Sequence, residues 1–250
     1  MPAAALPDPD RVRPFEAFRA LRTLLNNKED TAQVFRIVDA VAGKTRMRAF
    51  NRLQESEAGR ALMAARPSLL ATLSDRTAME AMPAGSLGRT YFDFIYGENL
   101  SADGLVEASE EGSAPRTNAP EAQRWFGARM RDQHDLWHVV TGYGREGFGE
   151  LCLLAFSHAQ TKNRGIGVIV LAGAHKWKRE APAMPTIAAV REARRRGKES
   201  AWLPEQAWEK LLPLPLEDVR QLLRIPPAPI YASTQGEALR LERMVFAEAA

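Results

Sequence analysis

Apolar residues recur three and four positions apart along most of this 250-residue chain, which is the spacing of one face of an α-helix. Phe15, Phe18 and Leu21 show this spacing directly after Pro14, a residue that suits the first turn of a helix. The alternation of apolar and polar residues that marks a half-buried strand is nearly absent. The sequence therefore predicts an all-α protein, in which residues 1–250 form a single helical domain around one large core.

Prolines, glycines and capping residues divide the chain into its predicted helices. Residues 166–174 are rich in β-branched side chains and could form a buried strand, but the helical pattern around them favours a buried helix. Residues 1–12 are predicted to form a loose arm, and residues 101–120, which hold few apolar side chains, a surface loop. The predicted helices cover residues 14–25, 30–43, 45–65, 87–97, 121–140, 148–160 and 215–223, with short helical turns at 68–73 and 77–81 and an amphipathic helix or frayed tail at 235–247.

Composition and charge exclude several classes of protein. Lys and Arg total 34 against 31 Asp and Glu, and a formal net charge of +3 is too balanced to indicate nucleic acid. Cys152 is the only cysteine, which excludes an intramolecular disulfide and a zinc–thiolate cluster and fits a reducing compartment. The longest apolar run, residues 166–174, is far shorter than the roughly 20 residues of a membrane-spanning helix. The N-terminal residues lack the basic start and apolar segment of a signal peptide.

Two histidines and two carboxylates form a candidate metal site. His134 and His138 are four residues apart, so on a helix their imidazoles lie on one face, one turn apart. Asp135 lies on the flank of that face, where its carboxylate could bind the same ion or orient one imidazole. Glu150 follows after eleven residues, and the glycines between could let the chain reverse and bring it back as a fourth ligand. This set suits one divalent metal, which we expect to be zinc, with iron and manganese as alternatives.

The same residues allow other interpretations. A zinc protease helix carries Glu beside its first histidine as the general base, and Asp135 is one methylene shorter. The phosphohydrolase arrangement needs a further histidine upstream, and none precedes His134. Without a metal, Asp135 could pair with Arg131 one turn earlier. Glu150 would then be favoured by the helix dipole in the first turn of its helix.

The motif of His134, Asp135, two residues, His138, eleven residues and Glu150 resembles the signature of the fourth coenzyme Q biosynthesis protein family. Residues 82–91 are similar to the approach segment of that family, in which a proline is followed by a glycine and an aromatic residue. Residues 129–134 are similar to its basic lead into the motif, and residues 214–220 to a segment near its C-terminus. The resemblance covers roughly residues 80–225.

The resemblance implies a lyase of ubiquinone biosynthesis that binds a polyprenylated quinone precursor and replaces the C1 carboxyl group of a benzoate by a hydroxyl group. It implies a metal held by His134, Asp135, His138 and Glu150. Asp135 and Arg131 are then the candidate catalytic residues. The candidate substrate contacts are Arg131, Tyr143 and Arg145.

Two further functions remain open from the sequence, a non-catalytic scaffold that binds prenyl lipid and a metal-dependent hydrolase. The resemblance implies other ubiquinone-biosynthesis proteins as partners and a peripheral position on a membrane. We expect the cytoplasmic side of the inner membrane, or the mitochondrial matrix side in a eukaryote, although no transit peptide is evident. Basic residues interleaved with Trp177 and Trp202 suit either an anionic lipid surface or a solvated helix face. The oligomeric state, a homodimer included, stays open.

Overall fold

The computed structural model describes residues 12–26, 30–97, 109, 112 and 119–248. Within these ranges the chain forms α-helices and one 3-10 turn, and it forms no strand beyond an isolated bridge between Ser86 and Pro215. The predicted all-α fold is therefore confirmed. Most of the predicted N-terminal arm at 1–12 and of the predicted loop at 101–120 lies outside the described residues.

The described residues form fifteen α-helices and one 3-10 turn. They are α1 (Pro14–Asn26), α2 (Thr31–Val41), α3 (Thr45–Glu55), α4 (Glu57–Ala65), α5 (Leu69–Ser74), α6 (Arg76–Glu80), α7 (Leu87–Tyr96), α8 (Glu121–Asp132), α9 (His134–Thr141), α10 (Gly147–Thr161), α11 (Arg164–Glu180), α12 (Thr186–Glu199), the 3-10 turn (Leu203–Glu205), α13 (Trp208–Leu211), α14 (Leu216–Leu222) and α15 (Pro229–Glu248).

Helix α10 lies at the centre of the core. Its residues from Phe148 to Phe156 are buried apart from Glu150, and a helix that is apolar on nearly every side belongs in the interior. The helix packs against α11, α12 and α15. Gly197 on α12 permits a close approach, because a Cβ atom there would lie 2.6 Å from the carbonyl oxygen of Phe156. The position of α10 fixes Glu150, which lies in its first turn.

The predicted helix over 45–65 is two helices. Ser56 adopts an extended conformation between them, with φ −90° and ψ 150°. Its hydroxyl accepts a hydrogen bond from the backbone N–H of Gly59 at 2.9 Å and so caps α4. A Cβ atom at Gly59 would lie 1.9 Å from the carbonyl oxygen of Leu53, so glycine is required for this sharp junction.

The predicted helix over 121–140 is also divided, at Gln133. No proline or glycine marks the break. The side chain of Gln133 is fully buried, and its Oε1 accepts a hydrogen bond from Trp208 Nε1 at 2.7 Å. The division makes His134 the first residue of α9. The helix or tail predicted at 235–247 begins earlier than expected. Pro229 is the first residue of α15, in the first turn where proline is favoured.

The apolar run at 166–174 lies within α11, so the helix prediction is confirmed and the strand alternative is wrong. Of the two tryptophans considered for a lipid surface, Trp202 is buried and Trp177 is partly buried. Trp177 packs edge-on against Phe148 with ring centroids 5.1 Å apart, and Trp202 is 6% exposed and donates its Nε1–H to the carbonyl of Gln160. Across the described ranges, we find no helix that combines the length and apolar character needed to cross a membrane.

Candidate metal centre

The candidate ligands come from α9 and α10, which are joined by the turn at residues 142–146. His134 begins α9, and His138 follows one turn later. Gly142 ends α9 with a φ of 76°, in the left-handed region that favours glycine. At Gly149 a Cβ atom would lie 2.3 Å from the carbonyl oxygen of Gly144, so the turn closes tightly against the start of α10. The predicted reversal is confirmed, and it brings Glu150 back to the two histidines.

The two carboxylate oxygens of Glu150 face one imidazole each. Oε2 lies 3.1 Å from His138 Nε2, and Oε1 lies 3.5 Å from His134 Nε2. One ligand atom from each of the three side chains falls within 4.8 Å of the others. The imidazole rings meet edge-on, with centroids 4.9 Å apart. Two nitrogens and one oxygen thus converge as a donor set that could hold one divalent ion.

Each imidazole is oriented through its Nδ1 atom. His138 Nδ1 lies 2.9 Å from the carbonyl oxygen of Tyr143, and because a carbonyl only accepts, this nitrogen carries the proton. The Nε2 atom of His138 is then the nitrogen left for a metal. His134 Nδ1 lies 3.3 Å from Asp135 Oδ1. Asp135 therefore contacts the far side of an imidazole, outside the group of three, and its predicted role as a ligand stays a prediction.

The ionisable side chains at this site shift one another's pKa toward the charged forms. Burial opposes protonation of His134, but the charge of Glu150 and the hydrogen bonds that His134 donates to Asp135 and Glu150 outweigh it and raise the pKa of His134 to about 10. Burial likewise opposes ionisation of Glu150, yet the charge of His134 and the hydrogen bond that His134 donates hold the pKa of Glu150 well below the usual range. Burial opposes ionisation of Asp135 as well, and contact with His134 lowers its pKa. An imidazolium lies between two carboxylates, an arrangement in which a metal ion can take the place of the proton.

The predicted substrate contacts are placed differently from one another. Arg145 is exposed beside the site, with its guanidinium 5.4 Å from the centre of the Phe94 ring, which in turn lies 5.5 Å from the His138 ring. Arg131 is bound by Asp132, with its Nη2 atom 2.8 Å from Oδ1, and does not form the considered pair with Asp135. The Tyr143 side chain is 1% exposed and lies in the core, so this residue reaches the site through its carbonyl oxygen.

A known protein family matches most of this chain. The family described as Coenzyme Q (ubiquinone) biosynthesis protein Coq4 matches residues 15–229. The chain belongs to this family. Its Neurospora crassa relative, the mitochondrial ubiquinone biosynthesis protein coq-4, is 28% identical over 171 residues, which are 68% of this chain and 47% of the relative. The Yarrowia lipolytica relative, the mitochondrial ubiquinone biosynthesis protein COQ4, is 30% identical over 114 residues, 45% of this chain and 41% of that one. The chain thus spans less than half the length of these two relatives.

The fold is also similar to a solved structure. A crystal structure of a Nostoc punctiforme protein assigned to ubiquinone biosynthesis superposes with a TM-score of 0.64 and covers 85% of this chain and 98% of its own. The two sequences are 20% identical, so this similarity concerns the fold alone. It supports the helical architecture independently of the sequence match.

The contacts that hold the turn between the ligand helices were not predicted. Gly144 N–H donates to the hydroxyl of Tyr231 at 2.7 Å, and Gly147 N–H donates to Glu242 at 2.6 Å. Both partners lie on α15, whereas the match to the Coq4 family ends at residue 229. They are separated from the turn by 87 and 95 residues, so no local pattern could indicate them.

Proposed function

We propose that this protein acts in ubiquinone biosynthesis, where it replaces the C1 carboxyl group of a polyprenylated benzoate by a hydroxyl group in a metal-dependent reaction. The observation that carries the proposal is the convergence of His134, His138 and Glu150 in a chain that belongs to the Coq4 family. Two imidazoles and one glutamate form a known catalytic zinc set, in which a further position stays open for water or substrate.

The donor set fits a bound zinc ion. Tyr143 fixes the proton of His138 on Nδ1, and Asp135 contacts Nδ1 of His134, so both Nε2 atoms face Glu150. Histidine ligands of zinc are commonly oriented in this way by a carbonyl or a carboxylate. When bound, the ion would supply Lewis-acid stabilisation of negative charge on the ring substituents of the substrate. Iron and manganese accept the same nitrogen and oxygen ligands.

The residues around the ligands would bind the substrate and orient a ligand imidazole. Arg145 is exposed beside Phe94 and would bind the substrate carboxylate, because its guanidinium has no ion pair to give up among the described residues. Arg131 would contribute charge from a distance, since Asp132 holds its guanidinium. Asp135 would hold the proton on Nδ1 of His134 and so keep Nε2 of that imidazole free for the metal. Loss of the carboxyl group as carbon dioxide and gain of a hydroxyl group from water release two electrons, so an external acceptor is required.

A polyprenylated substrate resides in a membrane, and helix α1 offers a surface for that contact. Phe15 is 87% exposed and Phe18 is 68% exposed. Arg19 and Arg22 are exposed on the same helix. Apolar rings beside cations suit a membrane interface with anionic lipids. This surface also favours a second candidate function, a non-catalytic scaffold that binds prenyl lipid and holds partner enzymes of the pathway at the membrane.

The decisive experiment measures metal content and turnover in the same preparations. We expect about one zinc, iron or manganese ion per chain and conversion of a prenylated hydroxybenzoate to the corresponding phenol when an electron acceptor is supplied. Changes of His134→Ala and Glu150→Ala should remove both the metal and the product. His175→Ala is the matched control, since this exposed histidine lies on α11 outside the group.

The outcomes separate the two candidates. A wild-type protein that holds its metal and binds the prenylated substrate, but yields no product with any acceptor, would support the scaffold. A wild-type protein that retains no divalent metal after reconstitution would contradict the metal-dependent reaction. Retention of metal by both site variants would contradict the ligand assignment.

A further inference from the structure

Side chains of helix α15 accept hydrogen bonds from both ends of the turn that joins the two ligand helices. At one end, the backbone N–H of Gly144 donates to the hydroxyl oxygen of Tyr231 at 2.7 Å. At the other end, the backbone N–H of Gly147 donates to Glu242 Oε1 at 2.6 Å. Gly147 is the first residue of α10, and no side chain from the neighbouring sequence caps this helix. Glu242 thus acts as a remote cap that places negative charge at a helix N-terminus.

Several hydrogen bonds and a ring contact fix the position of Tyr231. Its hydroxyl donates to Glu146 Oε1 at 2.5 Å, so the same oxygen bridges two residues of the turn. Its backbone N–H donates to Glu192 Oε2 at 3.2 Å, and that carboxylate also accepts from the N–H of Ile230 at 3.1 Å. Tyr231 is 2% exposed, and its ring meets the Tyr143 ring edge-on with centroids 4.9 Å apart. A side chain fixed by this many contacts can hold the turn in one conformation.

This turn sets the geometry of two ligands, His138 and Glu150. The carbonyl of Tyr143, which accepts from His138 Nδ1 at 2.9 Å, belongs to the peptide unit whose N–H is that of Gly144. The hydroxyl of Tyr231 therefore binds the opposite end of the same peptide group that orients His138. Glu150 lies three residues after Gly147, in the first turn of the helix that Glu242 caps.

We propose that Tyr231 and Glu242 are positioning residues for the metal group, so that α15 completes a site whose ligands all lie in α9 and α10. The inference rests on the proposed function only in that the group binds a metal. Outer partners of metal ligands change affinity by about 10–100-fold, and we expect an effect of this size from Tyr231→Phe, which removes only the bridging hydroxyl. Glu242→Ala should have a similar effect, whereas Glu242→Gln keeps an oxygen acceptor for Gly147 and should stay close to the wild type.

The test is binding of Co²⁺ to the metal-free 250-residue chain, followed by its visible absorption spectrum and by chelator competition. We expect Tyr231→Phe and Glu242→Ala to weaken Co²⁺ binding about 10–100-fold and to alter the absorption bands, which report ligand geometry. The matched controls are Tyr96→Phe, on α7, and Glu237→Ala, an exposed carboxylate of α15 that pairs with Arg240. Both controls should bind Co²⁺ as the wild type does.

A third control separates positioning from general stability. Leu53→Ala creates a cavity in a separate core cluster with Phe50, Phe126 and Trp202, and it lowers the melting temperature without touching the turn. The proposal is overturned if Leu53→Ala weakens Co²⁺ binding as much as Tyr231→Phe does at an equal loss of melting temperature. It is also overturned if Tyr231→Phe and Glu242→Ala bind Co²⁺ like the wild type. Failure of the wild type itself to bind Co²⁺ would contradict the proposed function.

Discussion

The two ends of helix α10 carry polar groups of different kinds. At its C-terminal end Gln160 is 5% exposed, and its Nε2 donates to the carbonyls of Gly197 at 2.6 Å and Ala201 at 3.1 Å. Its Oε1 accepts from the N–H of Leu203 at 2.9 Å. At the N-terminal end Glu150 has a 36% exposed side chain, and its carboxylate faces the imidazoles of His134 and His138.

The difference separates a structural polar cluster from a binding one. Gln160 is neutral and satisfied by backbone groups, so its cluster is complete as it stands. The side chains around Glu150 are titratable and turn their donor atoms toward one another. The histidines follow the same division: the pKa of His134 is raised to about 10, whereas burial, aided by Arg194 and Lys162, lowers the pKa of His158 near the other end. Convergence of ionisable groups, and not burial alone, marks the functional end of the helix.

The largest expected effect is loss of metal affinity in Glu150→Ala. Removal of a ligand should cost more than the 10–100-fold of an outer partner, and we expect roughly 10³-fold, or about 4 kcal/mol. Calorimetric titration of the metal-free protein would measure it. The metal-free variant should also be less stable than the metal-free wild type at pH 7, because Glu150 is a main cause of the raised pKa of His134. A variant that keeps wild-type affinity would remove the distinction between the two ends of α10.

Gln160→Leu should show the opposite behaviour. The change leaves the N–H of Leu203 and the carbonyls of Gly197 and Ala201 without their side-chain partner. Buried groups left in this way cost about 1–3 kcal/mol each, and with partial relaxation we expect a loss of about 3 kcal/mol in the free energy of unfolding. Urea denaturation measures the loss, and metal affinity should stay unchanged. A weakened metal site in a folded Gln160→Leu variant would show that the two ends are coupled.

Asp135→Asn tests whether the group has three ligands or four. Asparagine keeps the shape of the side chain but removes the charge beside His134 Nδ1, so we expect metal affinity to fall about 10–100-fold, as for an outer partner. Competition with a coloured chelator would give the ratio to wild type. A loss as large as that of Glu150→Ala would instead support the four-ligand site expected from the motif.

The sequence contained the parts of this site that depend on local spacing. His134 and His138 share a face because four residues make about one helical turn, and Gly142 permits the left-handed conformation that ends α9. The break at Gln133 could not be predicted, because its buried amide is held by Trp208, 75 residues away. The contact of Tyr231 with the turn could not be predicted for the same reason, because it joins residues that are 87 positions apart. Long-range side-chain contacts leave no periodic signal in the chain.

The smallest expected effect, taken per pH unit, is the pH dependence of metal affinity at the N-terminal end of α10. A metal needs the neutral imidazole, whereas His134 in the metal-free protein stays protonated up to a pKa of about 10. Affinity should therefore rise about tenfold per pH unit between pH 7 and 9, or about 1.4 kcal/mol per unit, and level off above the pKa.

Stability of the metal-free protein should move in the other direction. The folded pKa of His134 lies above the usual value near 6.5, so its contribution is complete below that pH and is lost as the pH rises through about 10. Melting temperatures of metal-free and metal-loaded protein should then diverge as the pH rises. If the two melting temperatures instead change in parallel between pH 6.5 and 10, a metal does not displace the His134 proton. The group would then resemble the satisfied cluster at Gln160.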